Sequence, residues 1–197
     1  MKQIFFLFSI VIVLVTSCSE DASFSKSDLN IIRTNPEQLL KIYTIESESE
    51  TLVLRKSSSD LSQRGLRSDE FAVLAERMIA TVSDTLVGGV GLAAPQVGIN
   101  KNIVVVQRFD KSGEPFEVYP NISIIEYSDE KTKGPEGCLS VPGERYDVER
   151  SASIKITYFD IETNTMVEEE INGFTSIIFQ HEVDHLNGII YTDRVLM

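Results

Sequence analysis

The pentapeptide His181-Glu182-Val183-Asp184-His185 constrains this chain more than any other feature, because it contains both of the chain's two histidines. Two His at positions i and i+4 of a helix project from one face and can share one metal ion. The Glu between them then lies beside the ion's open position, where it can take a proton from water. The surrounding run, from about Thr175 to Leu186, reads as a helix closed by Asn187-Gly188, with Ile177 on the same face as His181 and His185. A catalytic site of this type needs a third protein ligand and one open position. Leu186 to Met197 contains neither Glu nor His, and the longer protease pattern H-E-x-x-H-x-x-G-x-x-H fails at Tyr191.

The remaining soft donor in the mature part of the chain is Cys138, within Glu136-Gly137-Cys138-Leu139-Ser140. A thiolate there would bind a transition metal strongly, although an isolated Cys at such a position reads equally as a small buried hydrophobe. A third segment, Gly89-Val90-Gly91-Leu92-Ala93-Ala94-Pro95-Gln96, is built of small residues that let backbone approach a neighbour or ligand. Gln96 could offer an amide N–H to an oxyanion; tight packing is the other reading of this segment.

The chain's 197 residues suit one domain with a short appendage. Its apolar content of 42 % is that of an ordinary folded domain. Lys plus Arg is 18 against 30 Asp plus Glu, a formal net charge of −12, which argues against nucleic acid as a partner. Ile4 to Val15 is apolar except for Ser9, follows a single Lys, and ends in Val15-Thr16-Ser17-Cys18. As a helix that run would rise only about 18 Å, against a bilayer core of about 30 Å. It therefore reads as a signal peptide over residues 1–17, similar to those of bacterial lipoproteins, with Cys18 lipidated and residues 18–28 as a tether. Export to a membrane surface follows from that reading; a cytoplasmic protein is the alternative.

Along the rest of the chain, Ser68 to Ser83 has the cap, acidic first turn and apolar stripe of an amphipathic helix. Ile103 to about Arg108, Phe116 to Tyr119, Ile122 to Tyr127, Ser153 to Tyr158 and Met166 to Ile171 read as strands, with turns at Lys111-Ser112-Gly113 and Thr163-Asn164. Thr51 to Leu54 reads as a short strand between loops at Glu46–Glu50 and Ser57–Ser62. The order of elements implies an α+β domain over 29–197.

The three motifs together, G-x-G-L-A-A-x-Q, E-G-C-L-S and Q-H-E-x-D-H in this order, resemble those of the peptide deformylases. The resemblance runs from about Leu29 to Val195. It implies mixed short β-sheets around a central helix that bears the HExxH motif, and hydrolysis of the N-formyl group from formyl-methionyl peptides with release of formate. It implies Cys138, His181 and His185 as ligands of one divalent ion, Fe²⁺ as the family norm or Zn²⁺, and Glu182 as general acid and base. Gln96 and the Leu139 backbone N–H would face the oxyanion. Gly91, with Val90, Arg145, Ile177 and Ile178, would border the substrate. The expected partner is an N-formylated peptide, the substrate of a monomeric protein, with the membrane reached only through a lipid anchor on Cys18. An exported amidohydrolase or binder of other formylated or acylated amines is the alternative.

Overall fold

In the computed structural model, residues 23–195 are described. In chain order they form α1 (Lys26–Arg33), α2 (Glu48–Leu54), α3 (Gln63–Leu66), α4 (Asp69–Ser83), β1 (Gly91–Ala93), a 3₁₀ turn (Ala94–Val97), β2 (Ile103–Gln107), β3 (Phe116–Pro120), β4 (Ser123–Tyr127), β5 (Lys131–Cys138), β6 (Val141–Ser151), β7 (Ser153–Asp160), β8 (Thr165–Asn172) and α5 (Gly173–Leu186), with a last 3₁₀ turn at Tyr191–Arg194. The strands make three small antiparallel sheets, β1-β2-β3, β4-β7-β8 and the hairpin β5-β6. The architecture is α+β, and α5 touches all three sheets.

The β-branched run Ile103-Val104-Val105-Val106 shows why the core has two halves. Side chains alternate across a strand. Ile103 and Val105 pack with Leu74, Met78 and Val82 of α4, while Val104 and Val106 pack with Ile178, Phe179 and Val183 of α5. A strand covered on both faces has no polar alternation, which is how β2 reads. α4 begins where Ser68 caps it, its hydroxyl accepting from Phe71 N, and Asp69 and Glu70 occupy the first turn.

Two expectations for the N-terminal part do not hold. Thr51 to Leu54 is helical and belongs to α2, which also absorbs part of the expected loop at Glu46–Glu50. The run has strand-forming residues but nothing to pair with: Leu54 alone is buried and Leu52 is 63 % exposed, while Glu48 and Glu50 favour a helix start. The polar tether expected over 18–28 gives way at Ser25, whose hydroxyl accepts from Asp28 N while Asp28 accepts from Ser25 N, a reciprocal cap that starts α1. The segment assigned to a signal peptide, and Cys18, lie outside the described residues. Among the described residues no helix is long and apolar enough to cross a membrane.

Candidate metal centre and its cleft

α5 is buried along almost its whole length, yet Ser176, Gln180, His181, Glu182, Asp184 and His185 lie within it. Buried polar groups need partners, and for all of these but Glu182 a partner lies on the β5-β6 hairpin. Gln180 holds Ser151 through both its amide atoms. His181 Nδ1 meets Glu136 Oε2 at 2.8 Å. Glu136 is in turn gripped by Arg150, Nε to Oε1 at 2.7 Å and Nη2 to Oε2 at 3.0 Å. Arg150 also donates to Asp184 at 2.6 Å, and Arg194 donates to the same carboxylate at 2.5 and 2.9 Å. The hairpin and the helix are thus sewn together by a row of buried charges.

That row sets the histidine. With Nδ1 donating to Glu136, His181 presents Nε2 as its free nitrogen. His185 lies one turn on, its ring 5.1 Å from that of His181, and its Nε2 is 3.1 Å from Cys138 Sγ. A register shift between Gly137 and Cys138 turns the sulfur out of the β5-β6 ladder. One donor atom from each of Cys138, His181 and His185 lies within 4.8 Å of the others. Ligands at about 2.0–2.3 Å from a tetrahedral ion stand about 3.3–3.8 Å apart, so this set suits one such ion. Two imidazoles and a sulfur select a borderline-soft metal over Mg²⁺ or Ca²⁺.

The electrostatics point the same way. Burial pulls the His181 pKa down, but Cys138 and Glu136 outweigh it and raise the group to about 10. A proton is held where a cation would fit. Burial opposes ionisation of Glu136 too, yet His181 and Arg150 hold it down at about 2. Burial, with the His181 and Arg150 charges adding to it, pushes the pKa of His185 well down, so it stays neutral and able to donate a lone pair.

Glu182 has only 3 % exposure, and burial is the main cause of its pKa being raised to about 7. Its Oε2 has no hydrogen-bond partner among the described residues. The carboxylate fits there because Gly91 has no side chain: a Cβ on Gly91 would collide with Glu182 Oε1 and lie 2.8 Å from Ile178 Cγ2. Gln96 sits in the 3₁₀ turn after β1. Its Oε1 accepts from Ala93 N at 2.8 Å, and its Nε2 lies 3.2 Å from Ser140 Oγ and 3.6 Å from Cys138 Sγ.

A cleft of about 770 Å³ opens above this centre, within the range of small-ligand sites. Val90, Gly91, Gln96, Cys138, Leu139, Arg145, Ile177, Ile178, His181 and Glu182 all line it, and His185 lies fully buried against Cys138. Every residue the sequence offered for the metal, catalysis or substrate is therefore brought to one place. The sequence reading missed Glu136, Arg150, Asp184 and Ser140, which orient the donors, and Phe174, which lines the cleft. Glu136, Ser140 and Asp184 stand inside the motifs and could have been found there as buried partners; Arg150 and Phe174 carry no local signal.

The polypeptide deformylase family model matches residues 39–196. The chain belongs to the peptide deformylase family. It is 38 % identical over 150 residues to the peptide deformylase of Leptospira biflexa, covering 73 % of this chain and 82 % of that one. It is 43 % identical over 129 residues to peptide deformylase 1 of Clostridium perfringens, covering 66 % and 84 %. Among solved structures, a class I type b peptide deformylase from Acinetobacter baumannii superposes with a TM-score of 0.71 at 38 % identity, covering 80 % of this chain and 99 % of that one. Related structures of the Acinetobacter deformylase hold actinonin or Met-Ala-Ser.

Proposed function

We propose that this deformylase acts on formyl-methionyl peptides through Glu182, with Cys138, His181 and His185 holding one divalent ion. The observation that carries this reading is a buried carboxylate with an unpartnered oxygen beside three converging metal donors. The ion, Fe²⁺ by resemblance to the family or Zn²⁺ by the same donor chemistry, supplies Lewis-acid polarisation and lowers the pKa of water at the site.

The chain's own residues do the rest. Glu182 takes the proton of the attacking water as the water's oxygen bonds to the formyl carbon. It then passes that proton to the peptide nitrogen as the C–N bond breaks; the hydroxyl proton left on the formyl carbon's new oxygen is lost to the released amine or to water, giving formate and a free amino terminus. A pKa near neutrality suits both halves of this exchange. Gln96 Nε2 and the Leu139 N–H donate to the oxygen that becomes negative. Gly91 holds the peptide backbone; Val90, Ile177, Ile178 and Arg145, which line the same cleft, border the methionine side chain.

The same proposal includes compartment. Cleavage before Cys18 and its lipidation would place a monomeric enzyme at a membrane surface outside the cytoplasm. The test of the activity is formate release from a formyl-methionyl tripeptide by anaerobically purified, metal-analysed protein. Absence of formate from fully loaded protein overturns the reading.

A further inference from the structure

The family match begins at residue 39, but the folded chain begins earlier, and what precedes residue 39 is built into the core. Phe24 and Ile31 pack against the α4 side of the core, and Ile32 is fully buried within it. Arg77 of α4 points at the end of α1. Its Nη1 donates to the carbonyls of Ile31, Ile32 and Thr34 at 2.8, 2.9 and 3.3 Å, and its Nη2 to those of Asn35 and Gln38 at 3.3 and 3.0 Å. The last carbonyls of a helix lack partners within it and carry its negative end, so a buried guanidinium satisfies them and complements their charge.

The segment continues from this lock to the catalytic donors. One turn along α4, Thr81 Oγ1 accepts from Leu40 N at 2.9 Å. Tyr43 N donates to Gln96 O at 2.7 Å, and Ile45 N donates to Ser140 O at 3.0 Å. Gln96 and Ser140 are the two residues whose side chains meet beside Cys138. Behind Gln96, Gly98 is enclosed by the same segment: a Cβ there would lie 2.7 Å from the Tyr43 ring and 3.0 Å from Ile31 Cδ1.

We propose that residues 23–38, locked by Arg77, are a positioning element for the Gln96 amide, acting through the strap 39–45. Arg77 and Ile31 are positioning residues that touch neither substrate nor ion. This rests on the reading of Gln96 as an oxyanion donor, and the test separates the two. Zinc-loaded wild type is compared with Arg77→Met and Ile31→Ala, and with the conservative Arg77→Lys and Ile31→Leu. Amide exchange over residues 31–45, the Gln96 side-chain amide resonance, metal content, kcat and KM are measured.

In Arg77→Met, exchange over the strap should rise about tenfold or more, the equivalent of one lost hydrogen bond to a charged group. The Gln96 resonance should broaden. Because the effect falls on a group engaged in the transition state, kcat should drop about tenfold while KM stays within about twofold and metal content is unchanged. Ile31→Leu should recover most of the kcat that Ile31→Ala loses. If Arg77→Met does not fold, Ile31→Ala gives the same readouts. A loosened strap with unchanged kcat and an unchanged Gln96 resonance overturns the proposal, as does unchanged exchange. If wild type itself releases no formate, the activity reading fails, while the exchange and resonance measurements still decide whether the strap positions Gln96.

Discussion

Glu182 is a carboxylate in surroundings that disfavour its charge, with Gly91 and Ile178 against it and one oxygen left without a partner. Removing its charge while keeping its shape tests its role. Glu182→Gln should keep its metal and lose about 10²–10⁴ in kcat, the usual contribution of a general acid and base; unchanged turnover in a metal-replete variant excludes the role. The raised pKa has a second consequence in metal-free protein. Unfolded, this group loses its proton near its ordinary 4.5; folded, near about 7. Between these values the folded form holds a proton that the unfolded form has lost, so stability falls as pH rises across that window and levels off above it. The displacement corresponds to about 3 kcal/mol. In chelator, urea unfolding at pH 4.5 and pH 8 should show wild type losing that much relative to Glu182→Gln. Parallel pH profiles for the two proteins would contradict it.

At the scale of elements, the site depends on how closely β1 and α5 approach, and Gly91 sets that distance. Gly91→Ala should push Glu182 away from its place and reduce kcat about 10²-fold, the scale of a misplaced catalytic group. The far end of α5 has a similar dependence: Gly188 has φ +72°, and a Cβ on it would strike the Arg55 carbonyl. Gly188→Ala should destabilise the fold by about 1–3 kcal/mol, measured by denaturant unfolding, without altering the ligand set. What the sequence made legible follows from local physics. α4 and α5 were readable from their apolar spacing and end signals, and β2 from its β-branched run. β5 and β6 were not readable, because Lys131–Cys138 contains Gly134, Pro135 and Gly137, and most of Val141–Ser151 faces solvent. Their pairing is decided by tertiary contacts, through Arg150 and Glu136 to α5. The donors themselves were legible, because a metal needs specific atoms in specific residues. The groups that orient them were not, because a buried Arg, Glu or Ser can sit at any distance in the chain.

The metal should also act on the whole molecule. Cys138, His181 and His185 join β5 to α5, so an ion bound there ties two elements together that the unfolded chain leaves apart. At a free metal concentration of about 1,000 times Kd, binding should add about 4 kcal/mol to the stability. Chelation should lower Tm accordingly, and Cys138→Ala should abolish most of that difference; an equal chelator effect in the variant would remove Cys138 from the site.

The appendage before the domain sets the final expectation. Phe24 already packs on the core, so between Cys18 and the folded part stand only residues 19–23. Fully extended, the stretch from Cys18 to Phe24 spans about 20 Å. If Cys18 carries lipid, the catalytic domain is therefore held within about 20 Å of the bilayer surface, and the Arg77 lock keeps α1 from paying out more chain. A single acyl chain binds a membrane only marginally, so stable attachment needs more than one. Fractionation of cells grown with a labelled fatty acid, comparing wild type with Cys18→Ala, should place label and membrane attachment in the wild type alone. Unlabelled wild-type protein in the cytosol, with its first residues intact, would overturn export and return the enzyme to nascent chains.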